Sequence, residues 1–208
     1  MTPGRPLPPL MRHSLRLQLC CRVLLAFTLA VACRDGGRQG QRAADQRANA
    51  APDTGAFKPL AVGDAAPAYA VARLATAGAP ADTLRVGGAG QPVTLVNVWA
   101  TWCTSCREEM ADLEALHREF GPRGLRVVGV SVDEGPEARV RRFAERERLS
   151  FPVAHDPDGR VREAFGVVGV PETYLVDGRG RVRWSHAGNV HGVLGAARTA
   201  IGAALTGG

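Results

Sequence analysis

The sequence predicts an α/β domain with a mixed central β-sheet and helices on both faces. Two observations carry this. Two almost continuously apolar runs, residues 94–100 and 125–132, are each followed by a segment with helical spacing, which is how strands buried on both faces and joined by helices read. A later pair of short apolar runs, residues 173–176 and 182–185, flanks Asp177-Gly178-Arg179-Gly180, a strong antiparallel hairpin signal. Strand–helix–strand–helix, then hairpin, then helix gives parallel and antiparallel pairs in one sheet.

Taken in order, the elements are these. The strand at 94–100 leads into a helix spanning residues 105–120, with Met110, Leu113, Leu116 and Phe120 on one side and Arg107, Glu108, Asp112 and Arg118 off it. Gly121, Pro122 and Gly124 end that helix. The second strand, 125–132, precedes Pro136, suited to a helix first turn, and Val140, Phe143 and Ala144 give that helix its apolar side. A short apolar piece at 151–154 leads to a turn at 156–159 and a small helix around 161–165. After the hairpin, a final helix is expected to bury Val193, Leu194, Ala197, Ile201 and Leu205. Upstream, the segments near Tyr69–Arg73 and Thr83–Val86 are read as an extra N-terminal hairpin. The domain thus runs over residues 58–208.

The preceding residues read differently. Arg12, Arg16 and Arg22 come before an apolar run at 23–32. Ten residues make about 15 Å of helix, half of a bilayer core, so the run is short for a transmembrane anchor. A basic start, an apolar centre and small residues at its end describe an export signal over residues 1–33. Met11 would open a signal of more usual proportions. Residues 29–33, ending in Ala32-Cys33, are similar to a bacterial lipoprotein signal with Cys33 lipidated, although Ala30 stands where Leu is usual; an ordinary signal peptide ending near a cysteine is the alternative. Residues 34–57 are rich in Gly, Gln, Ala, Arg and Asp; such a segment buries too little surface to offset its ordering entropy and reads as a tether.

The net charge of +6 resembles a nucleic-acid signal until it is located. Residues 1–57 hold eight Arg against three Asp, whereas residues 58–208 hold 18 basic and 17 acidic residues. The domain therefore has no electrostatic footprint for DNA or RNA. Of five cysteines, only Cys103 and Cys106 fall in the domain. Two cannot form a four-thiolate zinc site or a disulfide framework, and the five histidines are scattered, so no metal or cofactor is expected.

Cys103-Thr104-Ser105-Cys106 stands where a buried strand turns into a helix. There the first cysteine lies over unpaired backbone N–H groups and the positive end of the helix dipole, which favours the thiolate, the nucleophile of disulfide exchange. Cys106, one turn later, can reach back and resolve a mixed disulfide. In an exported protein this spacing points to redox chemistry.

Residues 98–106, reading Val98-Trp99-Ala100-Thr101-Trp102-Cys103-Thr104-Ser105-Cys106, resemble the active-site segment of thioredoxin. Asn97 and Trp99 before the motif, the stretch from Val168 to Asp177, and the added material between Val132 and Pro171 are similar to the TlpA/ResA-type branch of the bacterial envelope. The resemblance covers about residues 60–205. It implies a thioredoxin-like fold, dithiol–disulfide exchange with protein substrates carrying cysteine pairs, and a reductase fed by a membrane thiol carrier in cytochrome c or copper-site maturation. It also implies a periplasmic-side location with membrane attachment through the lipid.

The same resemblance assigns site residues. Pro171 matches the family's cis-proline, leaving the backbone of Val170 to pair with substrate. Asn97 stands where thioredoxin keeps a buried aspartate, and Glu109, six residues after Cys103, matches the carboxylate thought to transfer the proton in this branch. Trp102 is expected to cover the motif and Trp99 to be core. Two other readings compete. A peroxiredoxin needs Pro and Thr seven and three residues before its cysteine, where this chain has Val96 and Ala100. A copper-binding module on the same scaffold has Cys-x-x-x-Cys and a distant His, and here the spacing is one residue short.

Overall fold

The computed structural model describes residues 58–75 and 81–207. The expected leader, the expected tether and Cys33 lie outside the described residues. Two sheets are present. The strands β1 (Tyr69–Ala72) and β2 (Thr83–Val86) pair antiparallel, Tyr69 opposite Val86. Their alternation is clean, with Tyr69, Val71, Leu84 and Val86 buried and the intervening residues exposed, as expected of a ribbon with one face on the core. Residues 76–80 between them lie outside the described set.

The main sheet contains β3 (Thr94–Trp99), β4 (Arg126–Ser131), β5 (Val153–His155), β6 (Glu172–Val176) and β7 (Val182–Ala187), in the order β5-β4-β3-β6-β7. Strands β3, β4 and β5 are parallel, whereas β6 runs antiparallel to both β3 and β7. Every residue of β3 and β6 is buried, which explains why these central strands lack a polar alternation.

The helices are α1 (Thr104–Glu108), α2 (Met110–Phe120), α3 (Glu137–Arg146), α4 (Arg160–Phe165) and α5 (Leu194–Thr206). Side chains of a strand alternate between faces, so Asn97 and Trp99 share one face of β3. Trp99 packs on Phe143 of α3 with ring centroids 5.0 Å apart, and Asn97 bonds Glu109 at the α1–α2 junction. On the opposite face Tyr174, paired with Val96, meets Phe165 of α4 at 5.4 Å. Helices therefore cover both faces. Residues 63–74 guard both edges: Gly63 donates to Val182 O on β7, and Leu74 donates to Val153 O on β5. Edge pairing of this kind removes a template for unwanted strand addition.

Two expectations are corrected. The predicted helix 105–120 is two helices, separated at Glu109 (φ −82°, ψ −9°). Neither Pro nor Gly marks the junction; the side chain of Glu109 is drawn into the interior by partners distant in sequence. The apolar face survives the break, with Met110, Leu113, Leu116 and Phe120 all buried. In α5 the buried residues are Ala197, Ile201 and Ala204. Val193, Leu194 and Leu205 are only partly buried, packed against the core, and Val193 belongs to a 3-10 turn before the helix.

Candidate active site

The site is assembled from three loops at one end of the sheet. The first follows β3. Asp133, buried beyond the end of β4, accepts the Thr101 amide at 2.8 Å, the Thr101 hydroxyl, and Ser131 Oγ at 2.7 Å. These bonds fix the backbone just before Trp102 and Cys103. His155 meets the Asp133 carbonyl at 2.8 Å, so its role is local and structural.

Cys103 is the N-cap of α1, with extended backbone (φ −84°, ψ 113°). Its sulfur accepts the Cys106 amide at 3.1 Å and lies 3.4 Å from Ser105 Oγ. Cys103 and Cys106 are joined by a disulfide with Cα atoms 5.3 Å apart. Cys106 is wholly buried, whereas Cys103 keeps 7% exposure, so an incoming group meets Cys103 first. Since α1 is only five residues long, the directed Cys106 N–H is the definite local source of stabilisation for negative charge on that sulfur.

The second loop precedes β6. The Val170–Pro171 peptide bond is cis, and the Val170 carbonyl lies 3.7 Å from Cys103 Sγ. Gly166 begins this loop with φ +69°, and a side chain there would collide with the Lys58 carbonyl; glycine is needed for both reasons. Trp102, expected as a cover over the motif, is 64% exposed and borders a groove with Val170.

The third loop joins β7 to α5. Asn189 Nδ2 donates to Ser105 O at 3.0 Å, and the Val190 amide donates to Glu109 Oε2 at 2.8 Å. Asn97 Nδ2 donates to Glu109 Oε1 at 2.8 Å and to Thr173 Oγ1 at 3.0 Å. Glu109 is completely buried, unlike exposed Glu108. Burial pushes its carboxyl up to about 7, against the two hydrogen bonds, which favour the anion, and with a smaller push from Asp112.

The structure therefore brings Cys103, Cys106, Val170 and Pro171 together, with Glu109 held at the α1–α2 junction by its bonds to Asn97 and Val190. Arg107 is exposed. Sequence reasoning missed Asp133 and Asn189. Their partners, Thr101 and Ser105, lie 32 and 84 residues away, and no local motif announces them. Among the described residues no group of three or more His, Cys, Asp or Glu is placed to hold a metal ion.

The thiol-disulfide oxidoreductase ResA of Oceanobacillus iheyensis is 32% identical over 121 residues, 58% of this chain and 62% of that protein. The thiol:disulfide interchange protein DsbE of Allochromatium vinosum is 41% identical over 101 residues, 47% of this chain and 52% of that one. The chain thus matches between half and two thirds of these relatives' lengths. Among solved structures, a chain assigned as thiol:disulfide interchange protein DsbE from Chlorobium tepidum superposes with a TM-score of 0.61 at 28% identity, covering 70% of this chain and 99% of that one. Mycobacterium tuberculosis AhpC shares the fold, with a TM-score of 0.55 at 24% identity over 70% of this chain and 93% of that one. The profile of the AhpC/TSA family matches residues 62–185, more than half of the sequence, and the chain belongs to that thioredoxin-like family.

Proposed function

We propose that the protein is a thiol–disulfide oxidoreductase that exchanges its Cys103–Cys106 pair with cysteine pairs of other proteins. The observation that carries this is the asymmetry of the pair: Cys103 caps α1, accepts the Cys106 amide and retains exposure, while Cys106 is sealed behind it. In the reducing direction the Cys103 thiolate attacks one sulfur of a substrate disulfide. That S–S bond breaks, a mixed disulfide forms, and the first substrate sulfur leaves as thiolate. Cys106 then loses its proton and attacks Cys103 Sγ, releasing the second substrate sulfur. The substrate gains two electrons and two protons, and the protein is left with the Cys103–Cys106 bond. A thiol donor must reduce it again.

Glu109 is the proposed acceptor of the Cys106 proton, since a carboxyl near 7 exchanges protons readily at neutral pH. The Val170 backbone beside cis-Pro171 is the proposed seat for the substrate segment. On the resemblance to the TlpA/ResA-type branch, the protein is an exported reductase of the periplasmic side, supplied by a membrane thiol carrier. It would serve cytochrome c or copper-site maturation and be held at the membrane by a lipid on Cys33. The peroxiredoxin alternative would need Pro and Thr where Val96 and Ala100 lie fully buried.

The roles of the two cysteines are tested by trapping. Cys106→Ser should accumulate mixed disulfides with substrate proteins, seen as reductant-sensitive adducts by mass spectrometry. Better trapping by Cys103→Ser would reverse the assignment. Alkylation before and after mild reductant should show both thiols blocked in the oxidised protein; full alkylation without reductant would remove the redox reading.

A further inference from the structure

Beside the disulfide runs a groove of about 490 Å³ lined by Trp102, Gly169, Val170, Glu134, Arg139 and Arg162. Its rim is apolar. Trp102, 64% exposed, stands on it with Val170, and an open indole beside a groove is the kind of group that contact surfaces favour. Its lining also carries charge. Arg139 comes from α3 and Arg162 from α4, and neither side chain has an ion-pair partner among the described residues. Arg162 is half-buried, and its Nε is buried without a hydrogen-bond partner among the described residues. Exposed Glu134 is the single acidic residue of the lining, so the balance is positive.

Resting on the oxidoreductase reading, we infer that this groove selects substrates: Trp102 and Val170 hold the segment around the reacting cysteine, and Arg139 and Arg162 receive an acidic side chain flanking that cysteine. The occupant is a cysteine-bearing segment with a Glu or Asp next to its sulfur. Aromatic residues and arginine are the groups that protein interfaces favour, and a guanidinium pair suits a carboxylate. A basic flank would meet two arginines and be rejected, which makes the device one of discrimination as well as attraction.

The test uses the full chain, pre-reduced, with Cys103→Ser as background. Substrates are synthetic peptides whose single cysteine is capped as a neutral 2-hydroxyethyl disulfide, with Glu, Gln or Lys on either side of it. Attack by Cys103 on the peptide sulfur releases 2-mercaptoethanol, and closure by Cys106 releases the peptide thiol, so electrons balance without an added oxidant. The Glu peptide should react roughly three- to tenfold faster than the Gln peptide, with Lys slower still, and 0.5 M salt should shrink the spread. The Glu-to-Gln ratio, measured within each protein, should fall toward one in the Arg139→Gln/Arg162→Gln double variant. With both arginines changed to Glu, the order should invert in favour of Lys. Equal rates in the wild type, or a ratio unchanged in both double variants, would overturn the inference. Bis(2-hydroxyethyl) disulfide separates the two levels: if the wild type reduces it no faster than background, the exchange reading itself fails, and the groove's role fails with it.

Discussion

At the scale of one residue, Glu109 is where the proposed proton transfer can be tested. A carboxyl that is wholly buried would ordinarily stay protonated, but the Val190 amide and the Asn97 amide both donate to it and hold it near 7. Asn97 Oδ1, the other end of that amide, is buried with no hydrogen-bond partner among the described residues. Rotation of the Asn97 amide would let it accept from a protonated Glu109, so the pair can serve both protonation states. Glu109→Gln keeps the shape and loses the titration. It should slow exchange by roughly ten- to hundredfold and flatten the rate profile near neutrality, whereas exposed Glu108→Gln should change little; equal small effects would reduce Glu109 to a structural residue. Stability supplies an independent measure. The carboxyl binds its proton more tightly in the folded state, about 7, than its ordinary 4.5. Below 4.5 both states hold the proton and the group contributes nothing. As pH rises from 4.5 through 7 the unfolded chain releases it first, so folding is progressively disfavoured, by up to ~3 kcal/mol above 7. The difference in urea stability between wild type and Glu109→Gln should therefore shift against the wild type across that window, and a difference independent of pH would contradict it.

At the scale of elements, the redox segment is pinned on both sides. Asp133 holds the approach to α1 through Thr101, and Asn189 holds α1 from the other side through Ser105 O. The carboxylate of Asp133 accepts three hydrogen bonds while buried, so Asp133→Ala leaves donors unpaired in the interior. The expected loss is about 2–4 kcal/mol in urea unfolding, by the usual worth of charge-assisted bonds and the penalty for orphaned donors. Exchange should slow further than stability alone predicts, because Trp102 and Cys103 follow directly on Thr101; a variant with wild-type stability and rate would show that Asp133 does not position the loop. The same scale shows why the sequence reads α1–α2 as one continuous helix. Helical periodicity sees Met110, Leu113, Leu116 and Phe120, all buried, and passes straight through Glu109. The interactions that seat that residue come from positions 12 and 81 residues away.

Across the whole molecule, what could be read in advance was what local pattern controls. Strands β3 and β6 are buried on both faces and therefore read as largely apolar runs, with Asn97, Glu172 and Thr173 as buried polar exceptions. The turn from Asp177 to Gly180 joins β6 to β7 by its own side-chain and backbone bonds, and the cysteine pair sits at a strand–helix junction that needs no distant partner to recognise. The groove could not be read, because Arg139 and Arg162 belong to different helices and meet Trp102 only when the sheet is assembled. The proposed attachment to the membrane is also a matter of the whole molecule, and its argument is one of length. The apolar run at 23–32 would span about 15 Å as a helix, against a hydrocarbon core of about 30 Å, so stable anchorage calls for another source of burial. Acyl chains on Cys33 would supply it, at about 0.8 kcal/mol per buried CH2. The envelope-expressed full-length protein should therefore fractionate with membranes, resist an alkaline wash, and yield an N-terminal peptide beginning at acylated Cys33. Cys33→Ser should lose the acyl mass and the processing at that position. A mature protein released by the wash and beginning elsewhere would remove the lipid anchor while leaving export standing.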